Sequence, residues 1–185
     1  MGLFDNIKKS AENLKQPQKS SNKTVDVVFS KLPDTLEEFK ALPQASLSNP
    51  FDAAAMTVLA FCFYPQDKDL CLSMIQYLKG PREMTPTEKQ FIKDRFMDQD
   101  YVPRSYFKGA VPENDYVPSE PFTVSVSEDP YTYDNEGYAY VVLRSGGADS
   151  PRKIMLRLAK DGKWYLWEQY ILVGIRPPES TNPWA

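Results

Sequence analysis

The sequence predicts an α+β fold, with four helices followed by an antiparallel β-meander of about four strands. Helix signals crowd the first half: capping residues, first-turn prolines and apolar runs of helical length, up to about Met97. From Phe122 onward, short stretches alternate apolar and polar residues, as half-buried strands do. Helices and strands do not alternate along the whole chain, so parallel βαβ units and a dinucleotide-binding sheet are not expected.

Met1–Leu14 places Leu3, Ile7, Ala11 and Leu14 at helical spacing with lysines facing away, which predicts a small amphipathic helix. Residues 15–23 (KQPQKSSNK) have no apolar anchor and read as a linker, leaving residues 24–185 as a single α+β domain. Thr24–Phe29 is rich in β-branched residues and suits a first strand. Thr35 with Glu38 forms a capping-box pattern opening a helix over Leu36–Leu42, and Asn49-Pro50 opens a second to Phe63. That second helix is apolar nearly all round, so others must wrap it, and Pro65 stops it. Asp67 caps a third over Lys68–Lys79, closed by Gly80, and Thr85-Pro86-Thr87-Glu88 starts a fourth.

Pro103, Pro112, Pro118 and Pro121 break the Tyr-rich stretch that follows into ordered loop. Strands are expected over Phe122–Val126, Tyr138–Arg144, Lys153–Ala159 and Lys163–Ile171. Asp161-Gly162 predicts a two-residue type I′ turn between the last two. It sets Leu158 opposite Tyr165, Leu156 opposite Trp167 and Ile154 opposite Gln169 on one buried face. A curved sheet around a central helix would look like the cone of nuclear-transport-factor-2-like proteins, an analogy of element order alone.

Composition excludes more than it names. The 185 residues, 42% hydrophobic, suffice for one domain with a core, and a net charge of -3 gives no whole-molecule field to attract nucleic acid. Histidine is absent, which removes imidazole catalysis and the commonest metal ligand. Cys62 and Cys71 are too few for a disulfide framework or a cysteine-only zinc site, so a cytoplasmic protein without cofactor or metal is expected. The longest apolar run, Ala53–Tyr64, is too short to span a bilayer, and no secretory leader is read at the start.

Ser105-Tyr-Phe-Lys108 matches a Ser-x-x-Lys nucleophile pattern, but Pro103 and Gly109 flank it and no partner motif occurs, so a structural loop is preferred. Residues 146–152 (GGADSPR) offer backbone N–H groups and the Arg152 guanidinium, the parts of an anion nest, although a hairpin loop explains them equally well. Asp98, Asp100, Asp134 and Glu136 lack the spacing of a calcium loop. Between Val111 and Leu143 only acids accumulate, and Arg144–Lys163 then brings six basic residues, a split that either recruits a charged partner or solvates the sheet.

Ser105-Tyr-Phe-Lys-Gly-Ala, Gly147-Ala-Asp-Ser-Pro-Arg152, Gly162-Lys-Trp-Tyr-Leu-Trp-Glu168 and Asn182-Pro-Trp-Ala185 carry a resemblance over most of the chain. The chain resembles an uncharacterised bacterial family, seen mainly in Firmicutes. The resemblance implies a small cytosolic domain of unknown function and transfers no catalytic residues. With no convergent acid, base and nucleophile, a non-catalytic binding or scaffold domain with a protein partner is the preferred reading. Leu3, Ile7, Leu14, Tyr138, Tyr140, Arg152 and Trp184 are its candidate contact residues. The competing reading is a small-molecule pocket, or a histidine-independent enzyme, on a concave sheet lined by Tyr138, Tyr140, Tyr165 and Trp167.

Overall fold

A computed structural model describes residues 22–184. The expected N-terminal helix, with Leu3, Ile7 and Leu14, lies outside the described residues. Four α-helices follow the first strand: α1 Leu36–Ala41, α2 Pro50–Phe61, α3 Lys68–Lys79 and α4 Pro86–Arg95. Five strands, β1 Thr24–Phe29, β2 Phe122–Ser127, β3 Tyr138–Leu143, β4 Arg152–Leu158 and β5 Trp164–Gln169, form one antiparallel sheet in the order β1-β2-β3-β4-β5. The fold is α+β as expected, with one strand more than the meander alone, because β1 pairs along its full length with β2. The four helices are therefore inserted between two neighbouring strands.

The helix ends follow the local chemistry of the chain. The Thr35, Asn49, Asp67 and Thr85 side chains each accept a hydrogen bond from a backbone N–H of the first turn they cap. Within α2 every residue except Asp52 is buried, and the helix touches all five strands. The one polar residue buried within α2, Thr57, donates its hydroxyl to the Ala53 carbonyl at 2.9 Å, so nothing polar is stranded there. On the sheet, Val27, Phe29, Val124, Val126, Ala139, Val141, Leu143, Ile154 and Leu156 face this helix and are buried. Among the described residues no helix is long and apolar enough to cross a membrane.

The β4–β5 hairpin departs from the expected register. Gly162, at φ 80°, closes a turn by donating to the Ala159 carbonyl, and Ala159 donates in turn to Lys163. The loop therefore has three residues, a turn followed by a left-handed glycine, in place of the two-residue type I′ turn. Leu158 consequently lies opposite Trp164 and Leu156 opposite Leu166, whereas Ile154 still faces Gln169. A bulge beside Met155 and Leu156 reconciles the two registers and leaves Trp167 as the extra residue of β5. Leu166 is the buried residue of this strand, Leu158 is 41% exposed, and Tyr165 and Trp167 are only partly covered. The expectation that Leu158, Tyr165 and Trp167 share the buried face is corrected accordingly.

The Pro-rich stretch holds the chain after β5. Tyr101, Tyr106 and Tyr116 donate their hydroxyls to the carbonyls of Ile175, Ile171 and Arg176. Tyr101 and Tyr116 also stack at 5.4 Å. These rings are core residues of a loop, which explains a Tyr-rich composition without secondary-structure periodicity.

Candidate functional site

A groove lies where the end of α3, the first part of α4 and the second half of β5 meet. It encloses about 310 Å³, with Phe61, Ile75, Met84, Ile92 and Leu166 among its walls. All five are buried, but Phe91 on α4 and Tyr170 after β5 line the same groove at 38% and 50% exposure. Apolar surface thus runs from the core out to solvent along this groove.

Gly80 makes the approach of α3 to β5 possible. Its φ of 61° is left-handed, and a Cβ there would sit 2.4 Å from the Tyr165 ring, so no other residue fits without displacement. Thr85 and Glu88 complete a capping box at the start of α4. Glu88 does more than cap, because one carboxylate oxygen accepts from the Thr85 N–H and the other from both Lys79, at 2.5 Å, and Arg82, at 2.8 Å. Lys79 is 4% exposed, so its ammonium depends on this contact. Burial pushes the Glu88 carboxyl up, but the Lys79 ammonium and the Thr85 N–H outweigh it and hold it below the usual range.

The bulged Trp167 forms the rim. The Arg82 guanidinium lies 4.5 Å from its ring centroid and that of Arg157 4.6 Å, and Tyr138 meets it edge to face at 6.0 Å. Arg82 also donates to the Trp167 carbonyl, tying the rim to the α3–α4 turn. Arg157 rests against Tyr138 and Trp167 and has no carboxylate partner among the described residues.

Of the contact residues expected from sequence, Tyr138, Tyr140, Arg152 and Trp184 fall among the described residues, and the two tyrosines share a face. Tyr138 and Tyr140 alternate with buried Ala139 and Val141, so they lie on the sheet face away from α2, opposite Arg157 and Met155. Of Tyr138, Tyr140, Tyr165 and Trp167, Trp167 alone lines the groove. All three guanidinium nitrogens of Arg152 are occupied, donating to the carbonyls of Val173, Ser150 and Gly174 and to the Ser150 hydroxyl. The Arg152 side chain holds the chain after β5 in place. Trp184 is 92% exposed beyond the last turn.

Ser105 and Lys108 also part company. The Ser105 hydroxyl donates to the Val102 carbonyl and accepts from Ser145, while Lys108 pairs with Asp26 of β1. Among the described residues no group of three His, Cys, Asp or Glu side chains could hold a metal ion. The acidic and basic stretches meet in part, through the Lys153–Asp129 pair.

Sequence reasoning missed Lys79, Arg82, Phe91 and Leu166. The available signals were a lysine directly before the closing glycine of α3, and Phe91-Ile92 in an otherwise polar helix. No curated protein and no solved structure matches the chain. Residues 31–179, which span all four helices and β2–β5, match the family model described as domain of unknown function DUF6935, and the chain therefore belongs to that family.

Proposed function

We propose that this chain is a non-catalytic binding domain whose α3–α4–β5 groove receives an apolar side chain of a protein partner. The observation that carries this reading is a continuous apolar path from buried Ile92 and Leu166 to exposed Phe91 and Tyr170. A volume of about 310 Å³ suits one or two side chains and lies at the bottom of the range for small-molecule sites. Two charged groups of the wall, Lys79 and Glu88, pair with each other, and Glu88 also accepts from Arg82, so they shape the groove and leave its floor to apolar contact.

Titration argues in the same direction. Burial pushes the Cys62 thiol up to about 12 and raises Cys71 further, which leaves neither as a thiolate near neutral pH. Burial likewise raises the Tyr106 and Tyr116 hydroxyls, which donate to carbonyls and do not act as bases. Two free thiols support a reducing, cytoplasmic setting.

The test fills the groove without cutting the core. Thr87 is exposed and lines the groove from α4, so Thr87→Trp occupies it. Affinity capture from source-cell extract should retain a protein on the wild-type chain and lose it on Thr87→Trp, with the melting temperature unchanged. Capture of the same proteins by both would overturn the reading.

A further inference from the structure

We infer that the partner segment entering the groove is acidic, an apolar side chain flanked by an aspartate or glutamate that pairs with Arg157. This inference rests on the groove being the binding site and adds the chemistry of what it binds.

The charge around the groove is unevenly matched. Lys79 and Arg82 share the single carboxylate of Glu88, so that cluster holds two cations and one anion. Arg157 adds a third cation at the Trp167 rim, and the other acid lining the groove, Glu168, accepts from the Tyr170 hydroxyl. A guanidinium resting against two aromatic rings keeps its N–H edge available, and its planar fork matches a carboxylate in bidentate geometry. The Tyr138 and Trp167 rings at 5.4 Å and 4.6 Å hold that fork in place before any partner arrives, which lowers the ordering cost of binding. At the hairpin tip Lys160 and Lys163 flank Asp161, whose carboxylate accepts from the Lys163 N–H and the Tyr165 hydroxyl, so the tip adds one net positive charge.

The same charge argues against the chain's own first residues as the occupant. Met1–Lys15 carries Lys8, Lys9 and Lys15 against Asp5 and Glu12, an excess of the same sign as the rim. In a two-fold dimer a second copy would bring another such rim into contact with the first. An acidic, apolar segment of a different protein satisfies both the floor and the edge.

A library of random nine-residue peptides displayed on phage, panned against the full wild-type chain, Thr87→Trp and Arg157→Gln, tests this. The expected result is enrichment on wild type of sequences pairing a Leu, Phe or Trp with an Asp or Glu at fixed spacing, and no enrichment on Thr87→Trp. The most enriched peptide and its Asn or Gln counterpart are then compared by fluorescence polarisation. On wild type the acid-to-amide change should weaken binding about ten-fold, and on Arg157→Gln the two peptides should bind alike. Enrichment that fails on Thr87→Trp but shows no acid, or shows basic residues, would overturn the acidic partner and leave the groove standing. Enrichment indifferent to Thr87→Trp, or none at all, would overturn the groove itself. Light scattering showing a wild-type dimer that Thr87→Trp dissolves would make a second copy the occupant. Tighter peptide binding after deletion of residues 1–21 would make the chain's own segment the occupant. Either result overturns the inference.

Discussion

An alanine at position 147 should collide with the hydroxyl of Tyr116. Its Cβ would lie 1.9 Å from the Tyr116 hydroxyl oxygen and 2.8 Å from Ile175 Cγ2. The tyrosine cannot swing aside freely, because it is fully buried, stacks on Tyr101 and donates to the Arg176 carbonyl at 2.6 Å. The Arg176 N–H in turn donates to the Gly147 carbonyl, so the clash falls inside a closed set of contacts. Overpacking of this kind costs about 1–3 kcal/mol, and Tyr116→Phe, which strands a carbonyl, costs about 1–2 kcal/mol. The two effects should not add. Removing the hydroxyl abolishes the 1.9 Å contact and leaves the ring carbon at 2.9 Å, so Gly147→Ala should be milder in the Tyr116→Phe background by at least about 1 kcal/mol. Urea denaturation of the four proteins, followed by tryptophan fluorescence, measures the coupling. Additivity to within about 0.5 kcal/mol would refute the account of why residue 147 is glycine.

Other outcomes follow from the same contacts. Leu166→Ala should cost about 2–5 kcal/mol while Leu158→Ala costs under about 1 kcal/mol, as denaturant titration will show if the three-residue loop is right. Glu88 is depressed in the folded chain, so the stability it contributes is present above the ordinary carboxylate range and is lost as pH falls through its folded value. Thermal melts of Glu88→Gln should therefore show a shallower acid limb than wild type. Tyr116 and Tyr165, pushed up to about 12, favour the folded state below about pH 10 and lose that contribution as pH rises through their folded values. Between about pH 6 and 8 the melting temperature should be nearly constant, and EDTA should not change it. Both cysteines should react with a thiol reagent far more slowly in the native chain than in urea, and buried Cys71 more slowly than half-buried Cys62.

Much of the fold was legible because it is written in local chemistry. Asn49-Pro50, Asp67, Gly80 and Thr85-Pro86 each mark a helix end through the hydrogen bond or backbone angle they supply, and the helix starts agree with them. The all-round apolarity of Pro50–Phe61 announced a surrounded helix, and it touches every strand. The hairpin register was not legible, since Asp-Gly serves a three-residue loop as readily as a two-residue one, and the bulge at Trp167 depends on tertiary packing with Arg82. The groove was hidden for a related reason. Leu166 lies far along the chain from Lys79, Glu88 and Phe91, each is individually ordinary, and only the packing of β5 beside α3 and α4 brings Leu166 to them. Glu88 was readable as a cap, but its second oxygen's role required Lys79 and Arg82 to converge on it.

The binding groove can be located directly by titrating the 15N-labelled chain with the peptide enriched in display and following amide shifts together with the Trp167 indole signal. The account predicts that the largest shifts fall on Phe91 and Ile92 of α4, on Leu166–Tyr170 and on the Trp167 indole, with residues 101–116 unmoved. Shifts centred instead on Tyr138 and Tyr140 alone, or on the Gly147–Arg152 loop, would contradict it.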